Sequence, residues 1–289
     1  MELKIGGYST ALFSTWFYVE NLDLLFDAGD GLMAHLKQKS RKIKHIFLSH
    51  ADRDHITGIM QFNQLNARDG KPDFYYPADS GSIPALRDFM ERFDPHVKPA
   101  TWQPIRSGEE IIIKDRYAVQ AFRNEHVEVP FGKCKSLSYV IKHQNKKLKS
   151  EFKELSSEQI KDLVMAKGKA SIPEVHEKKI LAYSGDTPIG NQDVWNNTEV
   201  LIHEATFLNM KNIVENHQHK HSLLEDVIKM TSELNIGKLV LSHFSVRYNH
   251  EEIDENIKGF CKKYQIKFPV YRILPGQFSR DLLAEDPLN

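Results

Sequence analysis

Four potential metal ligands fall within six residues in Leu48-Ser49-His50-Ala51-Asp52-Arg53-Asp54-His55-Ile56-Thr57-Gly58-Ile59. Imidazole suits borderline divalent cations and carboxylate suits harder ones, so His50, Asp52, Asp54 and His55 form a set for zinc, manganese or iron. An apolar run precedes the cluster, and apolar residues with Gly58 follow it. That pattern reads as a strand that ends in a tight loop and runs on into a helix, with the ligands on the loop, where side chains converge. The same placement recurs further along. His126, Asp186, Glu204 and His243 each follow an apolar run at its C-terminal end. A single histidine so placed is usually structural. Five strand ends together are how a sheet collects distant residues at one edge.

The elements that must position these residues follow from apolar periodicity and turn residues. Strands are expected at 3–5, 15–19, 22–26, 43–48, 74–76, 111–113, 117–122 and 137–142 in the first half, with helices at 32–36, 56–65 and 84–93. The third strand ends in a carboxylate and glycine loop, Phe26-Asp27-Ala28-Gly29-Asp30-Gly31. The second half alternates, with strands at 180–183, 200–202, 239–242 and 270–274 and helices at 223–234 and 253–264. Sheets rich in strands and covered by helices on their outer faces predict an α/β fold, a four-layer α/β/β/α sandwich. No linker divides the halves, so one domain over 1–289 is expected. Its one interruption is 142–179, which holds ten lysines against six acidic residues. That segment reads either as a solvated insertion or as a basic arm for a polyanion, with a short helix at 156–165 capped by Ser156 or Ser157. His217 and His219 read as part of a polar loop.

Composition sets outer limits. The chain has 289 residues, 40% hydrophobic and 27% charged, with a formal net charge of zero. These values suit a globular enzyme and give no global pull towards nucleic acid. Two cysteines, Cys134 and Cys261, make no disulfide framework and point to a reducing, cytoplasmic setting. The first residues lack the pattern of a signal peptide, and no apolar run approaches the roughly 18 residues of a membrane span.

An ordered set of motifs then resembles the ribonuclease Z (tRNase Z) family of metallo-β-lactamase-fold hydrolases, in the short form of the plant-type enzymes. The loop from His50 to His55 is similar to the family's His-x-His-x-Asp-His. Ser184-Gly185-Asp186-Thr187, His203-Glu204-Ala205-Thr206, His221-Ser222 and His243-Phe244-Ser245-Val246-Arg247-Tyr248 resemble further family elements. The likeness spans about 6–277. It implies two divalent metal ions, normally zinc, one held by His50, residue 52, His126 and Asp186 and the other by Asp54, His55, Asp186 and His243. It implies hydroxide attack on a phosphodiester that removes the 3′ trailer from precursor tRNA. Asp54 would orient or deprotonate the nucleophile, and His221, held by Glu204, would serve as the acid. It also implies a homodimer in which the arm reaches tRNA from the partner subunit. Lys146, Lys147, Lys149 and Lys153 are the candidate RNA contacts.

The chain departs from the family at Asp52, where a second histidine is expected. Aspartate hardens the site and shifts preference towards manganese, iron or magnesium. The sequence leaves three readings open. They are an endoribonuclease, a phosphodiesterase acting on cyclic nucleotides or other small phosphodiesters, and an RNA-binding relative without catalysis.

Overall fold

Alternation along the strands sorts the apolar side chains into three clusters. Leu24 and Phe26 point one way and Leu25 the other, while Tyr139 and Ile141 oppose Val140 in the same manner. A strand that buries both faces must lie inside a layered structure. The computed structural model, which describes residues 2–152, 155–167, 173–209 and 220–289, has these layers. Its strands are β1 (Ile5–Thr10), β2 (Ser14–Val19), β3 (Leu24–Phe26), β4 (His45–Phe47), β5 (Asp73–Pro77), β6 (Thr101–Ile105), β7 (Glu110–Lys114), β8 (Tyr117–Arg123), β9 (Leu137–Leu148), β10 (Pro173–Tyr183), β11 (Thr198–Glu204), β12 (Ile236–Ser242), β13 (Val270–Arg272) and β14 (Phe278–Ser279). The helices are α1 (Leu32–Leu36), α2 (Arg53–Ile56), α3 (Ile59–Asn66), α4 (Ser82–Phe93), α5 (Ser157–Lys167), α6 (Gln192–Trp195), α7 (Leu224–Ser232) and α8 (His250–Lys263).

The strands form two seven-stranded sheets, ordered β14-β1-β2-β3-β4-β5-β6 and β13-β12-β11-β10-β9-β8-β7. One cluster fills the space between them, with Phe17, Phe26 and Phe47 from the first sheet against Tyr139, Tyr183 and Ile202 from the second. A second packs α1, α3 and α4 on the outer face of the first sheet, and a third packs α6, α7 and α8 on the outer face of the second. The four-layer α/β/β/α expectation holds. Within the sheets β3 to β6 run parallel, as do β10 to β13. Parallel strands deliver their C-terminal ends to one edge, and β8, antiparallel to β9, points the same way. No helix among the described residues is long and apolar enough to cross a membrane.

Three local differences from the sequence expectation have physical causes. The helix expected over 56–65 is broken at Thr57 and Gly58 into α2 and α3. Gly58 is pressed against the loop after β3, where a Cβ would meet the Gly29 carbonyl oxygen at 2.2 Å. The strands expected to stop at 142 and restart at 180 continue outward as a paired ribbon from Lys179↔Lys142 to Pro173↔Leu148. The sequence of these two legs is mostly polar, so no apolar alternation announces the backbone pairing. Finally, β6 was not foreseen. It is an edge strand carrying Pro104, and an edge readily accepts a residue with no N–H to donate. Between the ribbon's legs, α5 begins with a reciprocal cap. Ser156 N–H donates to Gln159 Oε1 at 2.9 Å, and Gln159 N–H donates to Ser156 Oγ at 3.3 Å.

Candidate active site

Five strand ends deliver the polar cluster. His50 follows β4, His126 follows β8, Asp186 follows β10, Glu204 ends β11 and His243 follows β12. Asp52, Asp54 and His55 sit on the short turn into α2 and within it. Side-chain donor atoms of Asp54, His55, Asp186 and His243 lie within 4.8 Å of one another, as do those of His50, Asp52 and His126. Asp186 Oδ2 joins the two groups, at 3.3 Å from His55 Nε2, 3.2 Å from His243 Nε2 and 3.7 Å from His50 Nε2. Asp52 Oδ2 lies 3.6 Å from His50 Nε2 and 3.4 Å from His126 Nε2. His243 Nε2 is 3.3 Å from Asp54 Oδ2. Around a four-coordinate cation with ligand bonds of 2.0–2.2 Å, neighbouring donor atoms stand about 3.3–3.6 Å apart. The spacing therefore fits shared divalent cations.

The outer nitrogens of the histidines support that fit. His55 Nδ1 donates to Asp27 Oδ2 at 2.8 Å, and His126 Nδ1 donates to the Lys220 carbonyl at 3.0 Å. Ser49 Oγ gives its proton to Asp27 Oδ2 (2.7 Å), so it accepts from His50 Nδ1 at 2.9 Å. Thr206 Oγ1 gives its proton to Glu204 Oε2 (2.6 Å) and accepts from His243 Nδ1 at 2.9 Å. All four rings are thus fixed in the tautomer that turns a bare Nε2 lone pair inward, the state a metal requires. His50 Nε2 and His55 Nε2 are buried without a hydrogen-bond partner. Such orphaned acceptors in a fully enclosed place are explained by a cation.

Asp27 is the hub of this support. Its carboxylate is wholly buried and accepts from Ser49 N–H (2.7 Å), Ser49 Oγ, His55 Nδ1 and Tyr183 OH (2.5 Å). It sits after β3 with φ +52°, in the left-handed region. The loop comes so close to α2 that a Cβ on Gly29 would meet the Asp54 carbonyl oxygen at 2.3 Å. His243 also has a positive φ, +62°, a costly conformation for a non-glycine residue and one that clusters at functional sites.

Beside the cluster, His221 Nδ1 lies 3.0 Å from Glu204 Oε1. Burial opposes the charged imidazole, but Glu204, and behind it Asp186, raise its pKa to about 9. Burial would likewise raise the Glu204 carboxyl, and His221 holds it below its usual range. Burial also works against Asp186, which His243 and His55 keep well below the ordinary carboxylate range. His50 is shifted down, first by burial and then by His55 and His126. The His126 and His50 rings beside it hold the Asp52 carboxyl far below its usual value. Asp54, Asp186, His221 and His243 line an open pocket with Leu12, Phe207 and Arg247. The Arg247 guanidinium lies 6.0 Å over the Phe207 ring.

All seven ligand candidates and the Glu204–His221 pair thus meet at one edge. Lys146 and Lys147 lie on the outer leg of β9 and Lys149 just beyond it, away from this edge. Lys153, His217 and His219 lie outside the described residues. Three lysines of the 142–179 segment serve its root. Lys142 pairs with Glu110 and Glu177, Lys178 pairs with Glu199, and Lys179 donates to the carbonyls of Asp193, Val194 and Asn196. Sequence reasoning assigned no role to Asp27, Ser49, Tyr183, Thr206 or Arg247. For Asp27 a signal was present, because it too is a carboxylate directly after an apolar strand.

Residues 23–149 match the family model described as a β-lactamase superfamily domain. A tRNase Z of Arabidopsis thaliana is 26% identical over 270 residues, covering 89% of this chain and 89% of that protein. A ribonuclease Z of Methanocaldococcus jannaschii is 27% identical over 275 residues, covering 85% of this chain and 84% of its own length. Among solved structures, the metallo-β-lactamase fold protein YhfI from Bacillus subtilis superposes with a TM-score of 0.63 at 14% identity, covering 96% of this chain and 100% of that one. That fold and the His/Asp cluster go with divalent metal ions. The chain has the metallo-β-lactamase fold and is similar to the ribonuclease Z proteins over most of its length.

Proposed function

We propose that the protein is a metal-dependent endoribonuclease that removes the 3′ trailer of precursor tRNA. The observation that carries this reading is the His/Asp cluster with inward Nε2 atoms standing directly against the Glu204–His221 pair. His50, Asp52, His126 and Asp186 would hold one divalent cation and Asp54, His55, Asp186 and His243 the other, and the pair would supply Lewis acidity and a water nucleophile at neutral pH. Asp54 is oriented by the Leu12 N–H, which donates to its Oδ2 at 3.0 Å, and is placed to align that nucleophile. Arg247, on the pocket wall, offers a guanidinium to the scissile phosphate. His221 enters the reaction protonated and gives its proton to the departing 3′ oxygen, while Glu204 keeps the ring in place. The tRNA is left with a 3′-hydroxyl and the trailer with a 5′-phosphate.

Each cation would have two imidazole and two carboxylate donors. Zinc is the ion that the likeness suggests. The oxygen of Asp52 makes the first position harder than a three-histidine set and opens it to manganese, iron or magnesium. The likeness to tRNase Z proteins favours precursor tRNA over small phosphodiesters. We read 142–179 as an arm on a single domain that meets tRNA phosphates through Lys146, Lys147, Lys149 and Lys153, from the partner subunit of a homodimer in the cytoplasm.

The test is a substrate and metal panel. Purified protein is incubated with a precursor tRNA and, separately, with cyclic AMP under zinc, manganese and magnesium. Cleavage of the precursor at the end of the tRNA body is expected with at least one metal. No cleavage of the precursor with any metal refutes the reading, and cleavage of cyclic AMP alone replaces it with a small-molecule phosphodiesterase. Replacing the four arm lysines with alanine should lower the ratio of precursor tRNA to bis(p-nitrophenyl) phosphate turnover and flatten its salt dependence.

A further inference from the structure

The turn between β1 and β2 exposes Leu12 (84%) and Phe13 (59%), and the loop after β12 exposes Val246 (53%). Large apolar side chains grouped in solvent mark a contact surface. This group is built, not incidental. Leu12 has φ +70°, a strained value for leucine, and its N–H is the one that donates to Asp54 Oδ2. Ala11 N–H is tied to the Phe244 carbonyl at 3.2 Å, so the turn is clamped to both the catalytic pocket and the loop after β12.

The two loops sort their residues between two hollows. Leu12, Ser245 and Arg247 line the catalytic pocket, whereas Phe13, Val246 and Tyr248 line a cleft beside it of about 600 Å³. Tyr8 also lines this cleft. Its volume suits one base with its sugar, by the ordinary range of small-ligand sites. Its charge also points to a base and away from a phosphate. Among the described residues Glu251 lines the cleft and neither arginine nor lysine does, whereas Arg247 and the His/Asp cluster face the pocket next door. A polynucleotide whose scissile phosphate lies in the pocket must pass over the shared Leu12–Phe13 turn or the shared 245–248 loop.

We propose that this cleft is a base-binding subsite, in which the unpaired base adjoining the scissile phosphate stacks on Phe13 between the two loops. Aromatic stacking is how single-stranded nucleic acid is held without regard to base identity, so the subsite would serve trailers of any sequence. The inference rests on the endoribonuclease reading.

Phe13→Ala and Phe13→Trp are compared with wild type on a precursor tRNA and on bis(p-nitrophenyl) phosphate. Two further precursors carry an abasic nucleotide immediately 5′ or immediately 3′ of the scissile phosphate. Phe13 is exposed, so both variants should fold. For Phe13→Ala the ratio of kcat/KM on the precursor to that on the small ester should fall roughly 5-fold to 100-fold, mainly through KM, and Phe13→Trp should restore it. One of the abasic precursors should no longer distinguish Phe13→Ala from wild type. An unchanged ratio, or a full Phe13 effect on both abasic precursors, overturns the subsite while leaving the endoribonuclease reading intact. A wild-type protein that cleaves no precursor overturns both.

Discussion

Replacing Asp27 with asparagine keeps the side chain's size and removes one charge, yet it should weaken metal binding. Three donors, Ser49 Oγ, His55 Nδ1 and Tyr183 OH, converge on Oδ2, and Ser49 N–H takes Oδ1. Asparagine can offer one carbonyl oxygen and must turn its NH2 towards part of this set. The two hydroxyls can rotate and accept from it. His55 cannot, unless its proton moves from Nδ1 to Nε2, and that proton then occupies the lone pair aimed at Asp186 and Asp54. Losing a carboxylate that orients a ligating histidine costs about 10–100-fold in metal affinity, or about 1.4–2.7 kcal/mol. The fold should lose about 2–4 kcal/mol as well, because charge-assisted bonds inside the sandwich give way to poorer ones. Urea unfolding in chelator reads the second quantity, and competition with a chromophoric chelator reads the first. An Asp27→Asn protein destabilised as stated but binding metal within threefold of wild type would refute the reasoning and leave Asp27 a purely structural group. Ser49→Ala supplies the internal comparison. It frees the His50 ring and removes one donor from Asp27 while leaving that carboxylate in place for His55, so it should weaken chiefly the position holding His50 and lower stoichiometry towards one metal per chain.

Further outcomes follow from the same geometry. Asp52→His should raise the zinc-to-manganese ratio of protein loaded from an equimolar mixture, read by elemental analysis, because it exchanges a hard oxygen for an imidazole nitrogen; an unchanged ratio would place residue 52 outside the coordination sphere. His221 must be protonated to act as an acid, and its pKa is raised to about 9, so kcat should fall as pH rises through that value. Glu204→Gln removes the chief raising influence and leaves only Asp186 to oppose burial, so the alkaline limb should move to lower pH, as a kcat–pH profile would record. The sign is the same for stability in chelator, where the His221 contribution is complete below the unfolded value near 6.5 and lost as pH rises through about 9. Gly58→Ala places a Cβ 2.2 Å from the Gly29 carbonyl oxygen, backbone that can yield only by shifting the Asp27 loop. Overpacking of this kind costs about 1–3 kcal/mol, and both the urea midpoint and the metal content should drop.

The candidate ligands were visible in the sequence because they cluster after apolar runs, and a sheet with parallel strands brings such positions to one edge. The layers were visible for a related reason, since strands such as β4 and β11 are apolar on both faces and need cover on both. What supports the ligands was not visible. Ser49 and Thr206 act by passing a proton to one carboxylate while accepting from a histidine, a role fixed by three-dimensional angles and not by residue type. The outer legs of β9 and β10 were hidden because their mostly polar sequence carries no period of two. The Phe13 cleft was hidden because two loops more than two hundred residues apart form it by turning alternate side chains to either side.

Asp52 gains a physical account from its place at the start of α2. It is the N-cap residue, with φ −69° and ψ 146°, and aspartate there ordinarily bonds the exposed N–H groups of the first turn. Its side chain makes no such bond. It forgoes a contact worth about 1 kcal/mol, and its Oδ2 stands instead between His50 and His126. A carboxylate with no role at the cluster would settle on the helix terminus beneath it. The geometry therefore counts against Asp52 as a neutral replacement for histidine and favours it as a ligand. Both halves of the cluster then have two imidazole and two carboxylate donors, sharing Asp186. With a histidine at 52 the two halves would differ in donor set and in affinity. With Asp52 they are matched, which favours filling both positions with the same kind of ion.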